Sequence, residues 1–181
     1  VQHSTIDESG NFTSQLYFNH PVKELIWSNV IQNIIAAVDL NVLHGGVSQD
    51  NMRYVRAPFS IDGKFQLKLN GHDRFSARDS KYFTRTQVWE HHTGYGGFIG
   101  QTNDAGDARG IQAPDTIAVY SFALKPEEHQ PSGTCNFSRI DTAQLVRSSS
   151  STILTGGLNI YAVNYNVLRI MSGMGGLAYS N

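Results

Sequence analysis

A chain of 181 residues and 20.0 kDa is the size of one domain with a buried core of its own. Fourteen Lys plus Arg against fifteen Asp plus Glu leave a formal net charge of -1, and only 16% of residues are charged, which excludes an electrostatic footprint for nucleic acid or anionic lipid. The longest unbroken apolar run, Ile34–Val38, falls far short of the roughly 20 residues of a membrane span, and the lone Cys135 excludes an intrachain disulfide framework.

Position 1 is Val, and no basic stretch runs into an apolar one behind it, so the start reads as truncated and not as a signal peptide. β-branched and aromatic residues alternate with Gly, Pro, Asn and Ser punctuation, which points to an all-β chain of short strands. Between Gln15 and Trp27 the apolar positions Leu16, Phe18, Val22, Leu25 and Trp27 predict extended chain on both sides of Pro21. Trp27, Val30, Ile31, Ile34, Ile35 and Val38 then recur at helical spacing and predict a short helix over Ser28–Val38. From His44-Gly45-Gly46 to Pro58 the chain reads as a surface loop.

Phe65, Leu67 and Leu69 alternate with Lys64, Gln66, Lys68 and Asn70, the period of a half-buried strand. Asp73–Phe83 predicts one or two helical turns, and Gly94–Asp115, with six glycines, predicts a long loop. Ile117–Leu124 alternates with apolar residues on both faces and predicts a central strand. Pro126–Gly133 reads as a turn, Asn136–Val146 as a strand, and Leu158–Met171 as one long last strand. About seven or eight strands without an internal repeat suit a sandwich.

Glu90-His91-His92 is the most ligand-like cluster, yet neighbours on an extended chain face opposite ways and cannot easily share a metal. Cys135 has no paired base nearby in sequence and reads as a small buried thiol. Gly173-Met174-Gly175-Gly176 resembles part of a phosphate loop but lacks room for the helix such a site needs, so strand-end structure is expected there and at Pro131-Ser132-Gly133-Thr134. Asn11-Phe12-Thr13 and Asn136-Phe137-Ser138 match the glycosylation sequon, and the second falls on a predicted strand. Asp73, Arg74, Arg78 and Asp79 read either as an ion-pair cluster or as a solvated charged face. No catalytic, cofactor-binding or metal-ligating residue is assigned.

Three stretches, Phe18–Trp27, Phe122–Asp141 and Asn164–Asn181, together with Leu69–Phe75 and His91–Gly96, resemble in fixed order the major capsid protein of nucleocytoplasmic large DNA viruses. The resemblance implies an eight-stranded antiparallel jelly-roll sandwich with short helices in its connections. Residues 1–181 would be the second, C-terminal jelly roll of a double jelly-roll protein whose first jelly roll lies upstream. It further implies homotrimeric, pseudo-hexagonal capsomers tiling an icosahedral shell. Its partners would be neighbouring capsomers, minor capsid and penton proteins and inner membrane proteins, with no direct nucleic acid contact and assembly in the host cytoplasm. Ser28–Asp50 and Phe98–Thr116 depart from the family pattern, and the latter is expected to project outward from the shell. The alternative is a free-standing carbohydrate-binding sandwich using Trp89, Tyr95, Asn103 and Asp104; an enzyme on the same scaffold is a third reading.

Overall fold

The computed structural model describes residues 1–6, 10–29, 61–94, 96, 115–149 and 157–178. Its strands are β1 (Gln2–Ile6), β2 (Phe12–Gln15), β3 (Pro21–Asn29), β4 (Lys64–Leu69), β5 (His72–Asp73), β6 (Arg78–Asp79), β7 (Ile117–Ser121), β8 (Cys135–Asn136), β9 (Ala143–Ser148), β10 (Leu158–Asn164), β11 (Leu168–Met171) and β12 (Met174–Leu177). A π-helical stretch, Tyr82–Thr86, runs directly into a short α-helix, α1 (Gln87–His91), and Phe137–Arg139 forms a 3-10 turn.

Two antiparallel sheets face each other. One has the order β1-β10-β3-β7 with β8 also pairing β3, and the other β2-β9-β4-β5 with β6 also pairing β4. Early strands therefore pair with late ones: Gln2 lies opposite Ala162 and Phe12 opposite Arg147. The path alternates between sheets in the manner of a jelly roll. The all-β sandwich holds, whereas the described residues carry twelve strand segments and not eight, because the folded strip between β4 and the helix is split into β5 and β6 and the tail adds a hairpin.

Sheet pairing and packing override several local readings. No strand directly precedes Pro21: Leu16 and Phe18 are buried in irregular chain, and β3 starts on Pro21, where the missing N–H costs no ladder bond. Ser28 and Asn29 finish β3 and are not helical, since they pair with Asn159 and Leu158; the rest of the expected helix lies outside the described residues. The helical turns fall on 80–91 and take in only residues 80–83 of the expected Asp73–Phe83, whose first part pairs with β4. The β4 alternation is as expected.

Within Ile117–Leu124 residues 118–121 and 123 are buried as expected while Ile117 and Leu124 are exposed, and the strand ends at Ser121 and sits at an edge of the sheet, with α1 and the π-helical stretch covering it. Gln87 Oε1 accepts from Ser121 N at 3.1 Å, blunting that open edge. Asn136–Val146 breaks after Asn136, whose side chain accepts from Ser138 N and caps the 3-10 turn. Leu158–Met171 breaks at Asn164, where the register against β3 shifts.

That shift is a bulge at Lys23, whose carbonyl accepts from both Phe122 N and Ala123 N. The extra residue lets Val22 and Leu25 both enter the core and turns Glu24 to the opposite face. Between the sheets, Trp27 of β3, 1% exposed, meets Phe65 of β4 at 5.6 Å and Phe83 at 5.1 Å between ring centroids. The contacts continue through Phe75, Tyr120, Phe122 and Phe137 to Phe18. Trp27→Ala is expected to lower the free energy of unfolding by about 3–5 kcal/mol, read as a shift in the urea midpoint at unchanged slope.

Candidate functional site: a histidine between carboxylates and an exposed hairpin

His91 and His92, adjacent in sequence, are separated by the end of α1. His91 Nδ1 donates to Leu124 O at 3.1 Å. His92, extended, turns the other way and stands between two carboxylates: Nδ1 is 3.1 Å from Glu127 Oε1 and Nε2 is 3.0 Å from Glu24 Oε2. Glu24 Oε2 and His92 Nε2 are sealed from solvent and misaligned for a hydrogen bond, so their contact is one of proximity and charge. Glu127 also accepts from Thr93 N at 3.1 Å and from Thr93 Oγ1 at 2.8 Å.

Hydrogen bonds from the Thr93 hydroxyl and backbone, then His92, hold the Glu127 carboxyl below its ordinary range. Each imidazole nitrogen already faces a carboxylate, which makes this a clasp joining α1, β3 and the 125–132 turn. Among the described residues no three His, Cys, Asp or Glu side chains are placed so that they could hold a metal ion.

A second clasp lies near the end of the π-helical stretch. Arg85 makes bidentate contact with Asp115, Nε to Oδ1 at 2.9 Å and Nη2 to Oδ2 at 2.6 Å, while Thr84 Oγ1 donates to Oδ1 at 2.6 Å. The Arg85 hydrogen bond comes first among the causes that push the Asp115 carboxyl down. A third ionic contact, Arg147 with Asp62, sits at the rim of the core, with the guanidinium over the Phe65 ring at 5.9 Å. Sequence reading missed Glu24, Glu127, Asp115 and Arg147, because their partners lie 30 or more residues away.

Cys135 pairs with Val22 in β8, and burial pushes its thiol up, away from the thiolate a nucleophile needs. Gly173 follows Ser172 in a two-residue turn, with φ of +79° and +51°, joining β11 to β12. The glycine-rich motif thus forms a hairpin. Gly133 also has positive φ, +145°, and a Cβ there would come within 2.8 Å of Phe122 O. Asp73 pairs with Lys68 at 3.8 Å, Arg78 lies over the Tyr82 ring at 4.6 Å and Asp79 accepts from Lys81 N, so the four charged residues read together in sequence form no mutual ion pair among the described residues. Asn11 Oδ1 accepts from Ser149 N at 2.6 Å. Trp89 is 71% exposed; Tyr95, Asn103, Asp104 and 98–114 of the expected insertion lie outside the described residues.

β11 and β12 form a separate two-stranded sheet in which every residue is exposed, Leu168, Ile170, Met171, Met174 and Leu177 included. These five side chains are between 56% and 76% exposed.

The pattern describing large eukaryotic DNA virus major capsid proteins matches residues 1–176. The chain belongs to that family. It is 45% identical to the major capsid protein of Pyramimonas orientalis virus over 98% of this chain and 41% of the relative. Against the major capsid protein of Paramecium bursaria Chlorella virus 1 the identity is 37%, over 92% of this chain and 43% of the relative. The structure of PBCV-1 VP54 fitted into a reconstruction of the virophage Sputnik superposes with a TM-score of 0.70 and 31% identity, covering 99% of this chain and 50% of that one. The Faustovirus major capsid protein shares the fold, at 14% identity and a TM-score of 0.58. This capsid-family chain thus spans between two fifths and one half of the length of these first relatives.

A carboxylate with a depressed pKa stabilises the fold at pH values above its unfolded pKa, about 4, and the contribution fades as pH falls through the folded value. Asp115→Asn is therefore expected to lower the denaturant midpoint at pH 7 and to flatten its decline as the pH falls below about 4, with unfolding curves at several pH values as the measurement. Gly133→Ala, meeting both positive φ and a backbone oxygen, is expected to cost about 1–3 kcal/mol by the same method.

Proposed function

We propose that this chain is a shell-building part of a capsid protein of an icosahedral large DNA virus. The superposition of 99% of the chain on VP54 carries this reading. Half the length of VP54 is covered, which supports taking residues 1–181 as one jelly roll, the C-terminal one, of a double jelly-roll subunit. Three such subunits close into a pseudo-hexagonal capsomer, and capsomers pack against one another, against minor capsid and penton proteins and toward inner membrane proteins. The site of action is the virion, assembled in the host cytoplasm.

The physical features agree with a mechanical role. The hydrogen-bonded charges found here clasp elements of the sandwich to one another, and a near-neutral surface with net charge -1 lacks the basic arm a genome-wrapping subunit would use. Sandwich edges are a liability for an isolated domain and a resource for an assembling one, because closed rings cover them.

Light scattering on the full-length protein, including whatever precedes Val1, is expected to give three times the mass of one chain. A folded monomer at micromolar concentration would overturn the capsomer reading.

A further inference from the structure

The β11–β12 register sets Leu168 opposite Leu177 and Ile170 opposite Gly175, and it sets Arg169 opposite Gly176 and Met171 opposite Met174. Residues opposite one another in an antiparallel pair share a face, so the two faces of the hairpin are unlike. One carries Leu168, Ile170 and Leu177 and no charge; the other carries Arg169 beside Met171 and Met174. The three side chains of the uncharged face are between 62% and 69% exposed. Gly175, on the same face, has nothing within 4 Å of where a Cβ would stand, which leaves room for another backbone to come close. A two-stranded hairpin alone is marginal in water, and this one gains from having that face covered.

The root of the hairpin lies beside the first residues of the chain. β1 and β10 are neighbours in antiparallel register, with Gln2 opposite Ala162, so β1 begins at the end where β10 runs out toward Tyr165 and β11. Asn19 bridges the two: its N–H donates to Gln2 Oε1 at 2.7 Å, and its carbonyl accepts from Asn164 Nδ2 at 3.2 Å. Tyr165 N then donates to Pro21 O, which fixes where the hairpin departs. Whatever precedes Val1 in the full-length protein therefore arrives one strand spacing, about 5 Å, from the strand that ends at this root.

We propose that the Leu168–Ile170–Leu177 face packs on the upstream half of its own polypeptide and so fastens the two jelly rolls of one subunit to each other. This rests on the double jelly-roll reading, in which a body of similar size lies ahead of Val1. Area decides between that occupant and a second copy of the chain. Three side chains of Leu or Ile size exposing on the order of 100 Å² each offer about 300 Å², well short of the roughly 800 Å² per partner of a free-standing interface. A partner joined through Val1 needs far less, because a short linker holds it at an effective concentration on the order of millimolar and its docking costs no further translational freedom. Arg169, on the opposite face, keeps its charge in water when the apolar face is covered.

The test uses the full-length protein with the photo-crosslinking residue p-benzoylphenylalanine in place of Ile170, and a second variant with it in place of Leu177; both positions are exposed and lie outside the core. Irradiation of either variant is expected to give an adduct that keeps the mass of one chain under denaturing conditions and whose joined peptides are the hairpin and a stretch upstream of Val1. An adduct of twice the chain mass, an adduct joining the hairpin to residues 1–165, or no adduct from either position would overturn this docking. The intact mass and N-terminal sequence of the unsubstituted protein separate the two failures. A chain without a jelly roll's length before Val1 overturns the double jelly-roll reading, whereas a chain that has it and gives no such single-chain adduct overturns only the hairpin contact.

Discussion

The packing of Trp27 against Phe65 and Phe83 is the contact on which the rest of the molecule depends. It joins β3 of one sheet to β4 of the other and to the helical stretch that closes the sandwich on one side. Neither sheet buries its inner face alone, so each strand's alternation has value only because a second layer stands opposite. The aromatic contacts that run on from Trp27 to Phe18 carry the same logic along the sandwich, with tilted and edge-on rings filling the space.

Around this core, charge is used to hold covering elements in place. Gln87 caps a backbone donor of β7 at its open edge, the Glu24–His92–Glu127 clasp ties the end of α1 to the bulged strand, and Arg85 with Asp115 secures the middle of the helical stretch. The bulge at Lys23 makes the second of these arrangements possible, since without the extra residue Glu24 would not face His92.

How much was legible in advance varies with the distance over which each feature is decided. Phe65, Leu67 and Leu69 announce their strand because alternation is local, and the ordered stretches around Pro21, Cys135 and Asn164 announce the family because they are long. The helix expected from Ser28 fails where it can be checked, as Ser28 and Asn29 have strand partners more than a hundred residues away. β1 and β2 went unread for the same reason: their partners are β10 and β9, at the other end of the chain. The Glu90-His91-His92 cluster drew notice for metal chemistry, whereas the carboxylates that occupy His92 come from β3 and the 125–132 turn.

By itself, then, the sequence determined an all-β class, a near-neutral charge, several of the strand cores and membership of a capsid family, because composition, alternation and motif order are all written in neighbouring residues. Tertiary structure alone decided which strands are edges, where Lys23 bulges, which carboxylates meet His92 and Arg85, and that the Gly173 motif is a hairpin standing apart from the sandwich. Apart from the hairpin, whose strands pair within ten residues, those features depend on sheet order and on contacts between segments 30 or more residues apart, and no local window contains both partners.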